Sequence, residues 1–215
     1  MQFLSDEEVL ALEKKANEIR QSVIEMLIAA GSGHTAGPLD MADVFTLLYF
    51  HVLHHKPDDP SWPERDRLIL SNGHICPVLY ATLAHAGYFP KEELMTLRKF
   101  GTRLQGHPHR EALPGLETTS GPLGSGLSQA VGMALAERMD NPYSNKYFYC
   151  LTGDGELNEG QIWEALMHGG KEQLHNLIVI VDRNGIQIDG YTKDVMPLEP
   201  LREKFEASNW DVQEV

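Results

Sequence analysis

Cysteine is scarce in this chain, with only Cys76 and Cys150 in 215 residues. Two thiols so far apart make no disulfide framework, and they read as reduced core thiols in a fold held by its apolar interior. Long apolar runs are lacking too. None approaches the roughly 18 residues that a membrane-spanning helix needs, and no signal-peptide pattern opens the chain. Positive charge is outnumbered: 18 Lys and Arg face 31 Asp and Glu, a net charge of −13. That balance excludes a nucleic-acid-binding surface. It does not exclude an anionic ligand, because helix N-termini and a bound cation can supply a local positive field. There is no internal repeat, low-complexity tract or linker. The expectation is a cytoplasmic, soluble protein without nucleic-acid or membrane partners.

What is present is ordinary globular material, 42% apolar and 23% charged. A chain of this length can bury one sizeable core, and residues 1–215 read as a single domain. Ser5 to Glu8 has the spacing of a capping box. Apolar residues at helical spacing from Val9 to Leu27 then predict a helix that Gly31 ends. A turn over Gly31–Gly37 leads to a second predicted helix, Leu39–His54, and a Pro-rich loop covers 56–65. Leu68–Leu70 reads as a short strand, followed by a helix through about Ala86 and another over Pro90–Phe100. A long polar loop spans 101–120, and a helix runs from Gly121 to about Met139. Two apolar runs, Tyr147–Leu151 and Leu177–Val181, read as buried parallel strands. The segment from Glu159 to Gly170 reads as the helix crossing between them. Leu198–Ser208 predicts one more helix, and Trp210–Val215 the start of a strand. Alternating strands and helices argue an α/β fold with a mainly parallel sheet flanked by helices.

The chemistry gathers at the ends of those two runs. Gly153-Asp154-Gly155 follows the first and Asn184-Gly185-Ile186 the second. In a βαβ unit both strand ends reach the same sheet edge, where open α/β sheets bind ligands. A carboxylate, a side-chain amide and backbone carbonyls would then surround one point. These are hard oxygen donors, suited to Mg²⁺ or Ca²⁺, and Mg²⁺ so held completes its shell with water and phosphate. Three histidines, His34, His74 and His107, each follow a glycine in a loop. Histidine can donate to an oxyanion or carry a proton near neutral pH.

These segments resemble transketolase. Gly153-Asp154-Gly155 with Asn184 is similar to the metal and diphosphate motif of thiamine-diphosphate enzymes. Leu151–Gly160 and Asp182–Gly190 are similar to transketolase in particular. Ser32–Pro38 resembles its first histidine loop, with Thr35 where proline is more frequent. Arg65–His74 resembles the second, and Gly106-His107-Pro108 the third, with His109 where an acidic residue is frequent. The likeness runs from about Ala16 to Asp194.

The resemblance implies the thiamine-diphosphate-binding fold, and within it the diphosphate-binding domain. It implies thiamine diphosphate and Mg²⁺ as cofactors, with Ca²⁺ or Mn²⁺ as possible substitutes. Asp154, Asn184 and the Ile186 carbonyl become the metal ligands. Gly153, Asp154, Gly155, Glu159, Asn184, His74, the Gly121 backbone and the Leu123 side chain become cofactor-site residues. Glu159 falls near a subunit interface, in a network that Glu164 shares. His34, His74 and His107 line the substrate channel as donors and proton carriers. The implied reaction moves a two-carbon ketol unit from a ketose or ketose phosphate to an aldose, as in the pentose phosphate pathway.

The family's thiazolium-activating glutamate belongs to a second, pyrimidine-binding domain, for which these residues leave no room. The resemblance therefore implies the N-terminal subunit of a split transketolase, paired with a C-terminal pyrimidine-binding subunit, two copies of each. Family domains also continue past this point and supply a further histidine, so the C-terminal end is expected to be incomplete. Two alternatives stand beside this reading. One is a non-catalytic cofactor-binding or regulatory module. The other is a subunit similar to deoxyxylulose-phosphate synthase, whose loop differs at Leu70–His74, or to a 2-oxoacid dehydrogenase, which lacks these histidine loops.

Overall fold

The computed structural model describes residues 4–188 and 190–215, which divide into two compact units. Of the described residues, one unit comprises 4–65 and 73–119, the other 66–72, 120–188 and 190–215.

The first unit is helical. Its longest helix, α1 (Asp6–Ala30), starts at the expected capping box: Ser5 accepts from the Glu8 amide while the Glu8 carboxylate returns to the Ser5 amide. Gly31 ends it in the left-handed conformation that glycine adopts without a Cβ penalty. Ala16, Ile19, Val23 and Met26 form its buried stripe, and α1 packs on α3 (Ala42–Leu47) and α4 (Cys76–His85).

The single helix expected over Leu39–His54 is three pieces instead. A short α2 (Ala36–Asp40) tolerates Pro38 because its first turn needs no amide donor there. The helix α3 follows, and then one π turn over Leu48–Val52, closed by Leu53 N–H to Leu48 C=O at 2.7 Å. Thr46 Oγ1 bonds back to the Ala42 carbonyl at 2.7 Å, a contact that loosens and bends a helix. The helix expected over Pro90–Phe100 is a 3₁₀ segment, Lys91–Thr96. It stops because Leu97 leaves the helical range at ψ 128° and Arg98 turns left-handed, sending its amide forward to the Leu104 carbonyl. The thiol of Cys76 is free and buried.

The second unit holds a three-stranded parallel sheet in the order β1 (Arg67–Leu70), β2 (Phe148–Gly153), β3 (Leu177–Asp182). Against it packs α5 (Ser125–Asp140), which in turn meets α6 (Gly160–Lys171), the crossover between β2 and β3. Ile69, Leu127, Val131, Cys150, Ile162 and Leu166 share one core. The second strand is buried almost throughout, as its continuous apolar run requires. The third is less buried than its composition suggests, with Ile178 38% exposed, because β3 is an edge of the described sheet.

Two short strands, β4 (Ile186–Gln187) and β5 (Gly190–Tyr191), form an antiparallel hairpin that no sequence pattern announces. A four-residue helix α7 (Thr192–Val195) follows, and α8 (Leu201–Ala207) matches the last predicted helix. The strand expected over Trp210–Val215 does not form. Trp210 instead turns back onto α8 and α6, its amide bonding to Phe205 C=O and its indole N–H to Leu166 C=O of α6.

One glycine fixes how α5 meets the sheet. A Cβ on Gly126 would lie 2.5 Å from Ser71 Cβ and 2.6 Å from its Cα, so no side chain fits. Gly126→Ala is expected to destabilise by about 1–3 kcal/mol through overpacking, which thermal denaturation would show as a melting point lower by several degrees.

Candidate functional site

The parallel register carries the chain to the chemistry. Gly153 is the partner of Asp182 at the C-terminal ends of β2 and β3, and Asp154 N–H bonds to Asp182 C=O at 2.9 Å. From there Asp154 closes on the second loop. Its Oδ1 accepts from Gly155 N–H and its Oδ2 from Gly185 N–H, each at 2.8 Å. The side chain is nearly fully buried, and burial holds its carboxyl above the usual range against the opposing pull of those amides. A buried carboxylate with one amide on each oxygen keeps about half of its acceptor positions open.

Asn184 completes the loop. Its Oδ1 accepts from Ile186 N–H at 2.9 Å, and its Nδ2 donates to Asp182 Oδ2 at 3.0 Å. Thr192 N–H bonds to Gly185 C=O at 2.9 Å, beside the hairpin, while the Gly185 N–H goes to Asp154. The next pair is Ile186 with Tyr191, and the Ile186 N–H turns to Asn184 Oδ1. Asp154, Asn184 and Ile186 thus present a carboxylate, an amide oxygen and a carbonyl within one closed pair of loops. That donor set fits a hard cation such as Mg²⁺. Among the described residues no cluster of three or more His, Cys, Asp or Glu makes a competing metal site.

Two further polar groups border these loops that sequence reasoning does not single out. Asn72 lies with its Nδ2 3.8 Å from where a Gly153 Cβ would be, and Gln187 packs on Gly155. Each keeps a buried side-chain oxygen without a protein partner. Asn72 stands inside the Ser71–His74 motif, but nothing in the sequence tells it from an ordinary loop asparagine. A third, Glu156, is 3% exposed and accepts from Ser71 Oγ, from Gly124 N–H at 2.6 Å and from Gly153 N–H at 3.2 Å. Its carboxyl is also raised, by burial. A Glu directly after Gly-Asp-Gly reads from sequence as a surface residue, so only its burial marks it out.

Gly121 has φ +153°, and a Cβ there would meet nothing within 4 Å, so its backbone is open to a ligand. Leu123 is half-buried, and its carbonyl accepts from Gln161 Nε2 at 2.8 Å. Glu159, the residue before α6, is exposed and makes no side-chain cap, and Glu164 is exposed on that helix.

The first unit gathers the three histidines. The rings of His34 and His74 lie 4.9 Å apart between centroids, tilted by 54°. Burial, then the nearby His34 and His107, push the His74 imidazole down to about 4. Burial also lowers His107, followed by the Arg98 guanidinium and His34. Arg98 carries no motif that would mark it in the sequence. Its guanidinium lies against Gly106, where a Cβ would stand 3.0 Å from Nε, and its Nη1 is 3.5 Å from Ser32 Oγ. The remaining histidines serve packing where their contacts are seen: His55 stacks on Tyr88, and His85 bonds to Ser22.

Residues 12–215 match the family model described as transketolase, thiamine diphosphate binding domain. The chain is 47% identical to a 6-deoxy-6-sulfo-D-fructose transketolase subunit of Clostridium sp. (strain MSTE9), over 97% of this chain and 75% of that one. It is 43% identical to an apulose-4-phosphate transketolase subunit of Phocaeicola vulgatus, over 97% of this chain and 73% of that one. Among solved structures, a transketolase from Leishmania mexicana superposes with a TM-score of 0.90 at 40% identity, covering 95% of this chain and 32% of that one. This chain therefore spans about three quarters of the subunit relatives and about a third of the solved enzyme. The chain belongs to the transketolase family: it is a transferase subunit with the α/β thiamine-diphosphate-binding fold.

Proposed function

We propose that this subunit binds thiamine diphosphate through Mg²⁺ held by Asp154, Asn184 and the Ile186 carbonyl, and transfers a two-carbon ketol unit from a ketose to an aldose. The observation that carries the reading is the closure of the Asp154 and Asn184–Ile186 loops on one another. It leaves three hard oxygen donors gathered where two parallel strands end. When bound, thiamine diphosphate supplies the electron sink for breaking and making the carbon–carbon bond. The chain's own residues do the rest. Asp154 and Asn184 fix the metal, the open Gly121 backbone and the Leu123 side chain hold the organic part, and Gly153 and Gly155 keep the approach free of side chains. Ca²⁺ or Mn²⁺ can replace Mg²⁺ on the same donors.

His34, His74 and His107 are assigned to the sugar. A neutral His74 donates a hydrogen bond to a carbonyl or alkoxide oxygen of the sugar, with His34 beside it. The relatives are named for a sulfonated and a phosphorylated sugar, which supports a ketose ending in an acidic group. A cytoplasmic setting belongs to this reading; among the described residues no helix is long and apolar enough to cross a membrane.

The subunit relatives support a partner chain; in this reading it carries the pyrimidine-binding domain, two copies of each chain assemble, and Glu159 lies near the seam. The purified chain alone is then expected to show no ketol transfer from a ketose phosphate to ribose phosphate, and to gain it when the partner subunit is added. Robust turnover by the chain alone would overturn this assignment. Analytical ultracentrifugation of the mixture would read the copy number.

A further inference from the structure

We infer that Glu156 is a positioning residue that ties the cofactor-holding loops of the second unit into one piece. The inference rests on the thiamine-diphosphate reading above. Three segments meet on this one buried carboxylate. Gly153 N–H reaches Oε2, from the loop that carries Asp154. Gly124 N–H reaches Oε1, from the loop that carries Gly121 and Leu123. Ser71 Oγ, at the C-terminal end of β1, also donates to Oε1.

The link extends one step further. Because Ser71 gives its proton to Glu156, its lone pairs are turned outward, and Ser71 Oγ accepts from Gly126 N–H at 3.1 Å in the first turn of α5. The carboxylate thus fixes the hydroxyl rotamer that caps α5. It satisfies two amides directly and a third through Ser71. The amides of Gly124 and Gly126 belong to the N-terminal end of α5, where helices leave their amides without internal partners.

The chemistry explains why a carboxylate stands here. Two amides and a hydroxyl all donate, so the group between them must accept from three directions and donate to none. Only an ionised carboxylate offers that, with two oxygens and about four acceptor positions. A glutamine would turn an NH₂ toward one of the donors and leave that donor unpaired. An alanine would leave all of them unpaired. A charged side chain this deeply buried is a poor way to cap a helix that a serine could cap. Its distinguishing property is that it joins the Gly121–Leu123 loop to the Gly153–Asp154 loop. Those are the segments assigned to opposite ends of the same cofactor, and holding both ends at once needs the two segments at a fixed separation.

The test uses the assembled enzyme, with direct calorimetric titration of thiamine diphosphate at fixed Mg²⁺ as its first readout. Glu156→Gln is expected to weaken cofactor affinity about 10- to 100-fold, the usual effect of removing a residue that orients ligand-holding groups. At saturating cofactor its KM for the ketose should stay within about twofold of wild type. Ser71→Ala keeps both amide bonds to Glu156 and should have the smaller effect. Glu156→Ala should have the larger one. The melting temperature of each cofactor-free variant is measured alongside. Wild-type affinity in Glu156→Gln, with or without a lowered melting temperature, would assign Glu156 a purely structural role and overturn the inference. A sugar KM that rises with unchanged cofactor affinity would overturn it as well. If the wild-type assembly itself takes up no thiamine diphosphate, the cofactor reading falls, and this inference with it.

Discussion

Asp154→Ala is expected to lower affinity for Mg²⁺ and thiamine diphosphate by at least about 100-fold, and to abolish ketol transfer at ordinary cofactor concentrations. Loss of a group that merely orients a metal ligand costs about 10- to 100-fold, so loss of the charged ligand itself should cost no less. The geometry adds a second consequence. Asp154 is also the acceptor for Gly155 and Gly185 N–H, the bonds that close the two loops on each other. Alanine strands both amides, at about 1–3 kcal/mol for each buried donor left unpaired, so the Asn184–Ile186 loop should loosen and the protein should melt earlier. Asp154→Asn separates the two roles. It keeps an acceptor for one amide and removes the charge. Its melting temperature should lie closer to wild type while its Mg²⁺-dependent cofactor binding is still lost. Calorimetry of both variants, with melting curves, decides the matter. Near-normal affinity in Asp154→Asn would remove Asp154 from the metal site.

Much of this site is legible in the chain because its signals are local. Gly153-Asp154-Gly155 and Asn184 stand at the ends of apolar runs, and parallel pairing of those runs is enough to bring them to one sheet edge. The capping box of α1 needs only Ser5 and Glu8. What stays hidden is tertiary. Nothing local marks the hairpin at Ile186–Tyr191 as strand, since two-residue strands have no periodicity to detect. Leu39–His54 carries a helical pattern throughout, yet a break at Met41 and a π turn divide it. Trp210–Val215 has strand composition, but the indole finds Leu166 on α6 and no strand pairs with the segment. Glu156 and Asn72 show the same limit from the functional side. A Glu at the start of a helix and an Asn in a turn are ordinary surface residues until burial is known. Arg98 is hidden for a related reason, because the sequence places it inside a helix that in fact ends at Thr96.

His74→Ala and His107→Ala are expected to cut turnover of a ketose donor by about 10²–10⁴-fold, with cofactor affinity within a few-fold of wild type. The expectation rests on the cluster that His34, His74 and His107 form in the first unit, where His34 and His107 bear on the charge of His74 and His34 on that of His107. Its pH dependence follows from burial. His74 has an ordinary value of 6.5 and is held down to about 4, so it is neutral throughout the physiological range. Any acid limb of kcat/KM between about pH 7 and 5 therefore cannot come from protonation of His74, and His74→Ala should lower the whole profile without moving such a limb. Stability follows the same sign. The unfolded chain binds this proton near 6.5 and the folded one only near 4. The contribution of His74 is thus fully present above about 6.5 and is lost as pH falls toward 4. His74→Ala should flatten the fall in stability across that window. His85 lies outside the cluster, bonded to Ser22, and is also depressed to about 4 by burial. His85→Ala should flatten the same window while leaving turnover intact, which separates a stability effect from a catalytic one. Rate profiles from about pH 5 to 8 and denaturation curves at the same pH values provide the measurement. Wild-type turnover of ketose donors by both cluster variants would refute their assignment to the substrate, and a loss of cofactor affinity equal to the loss of rate would move them to the cofactor instead.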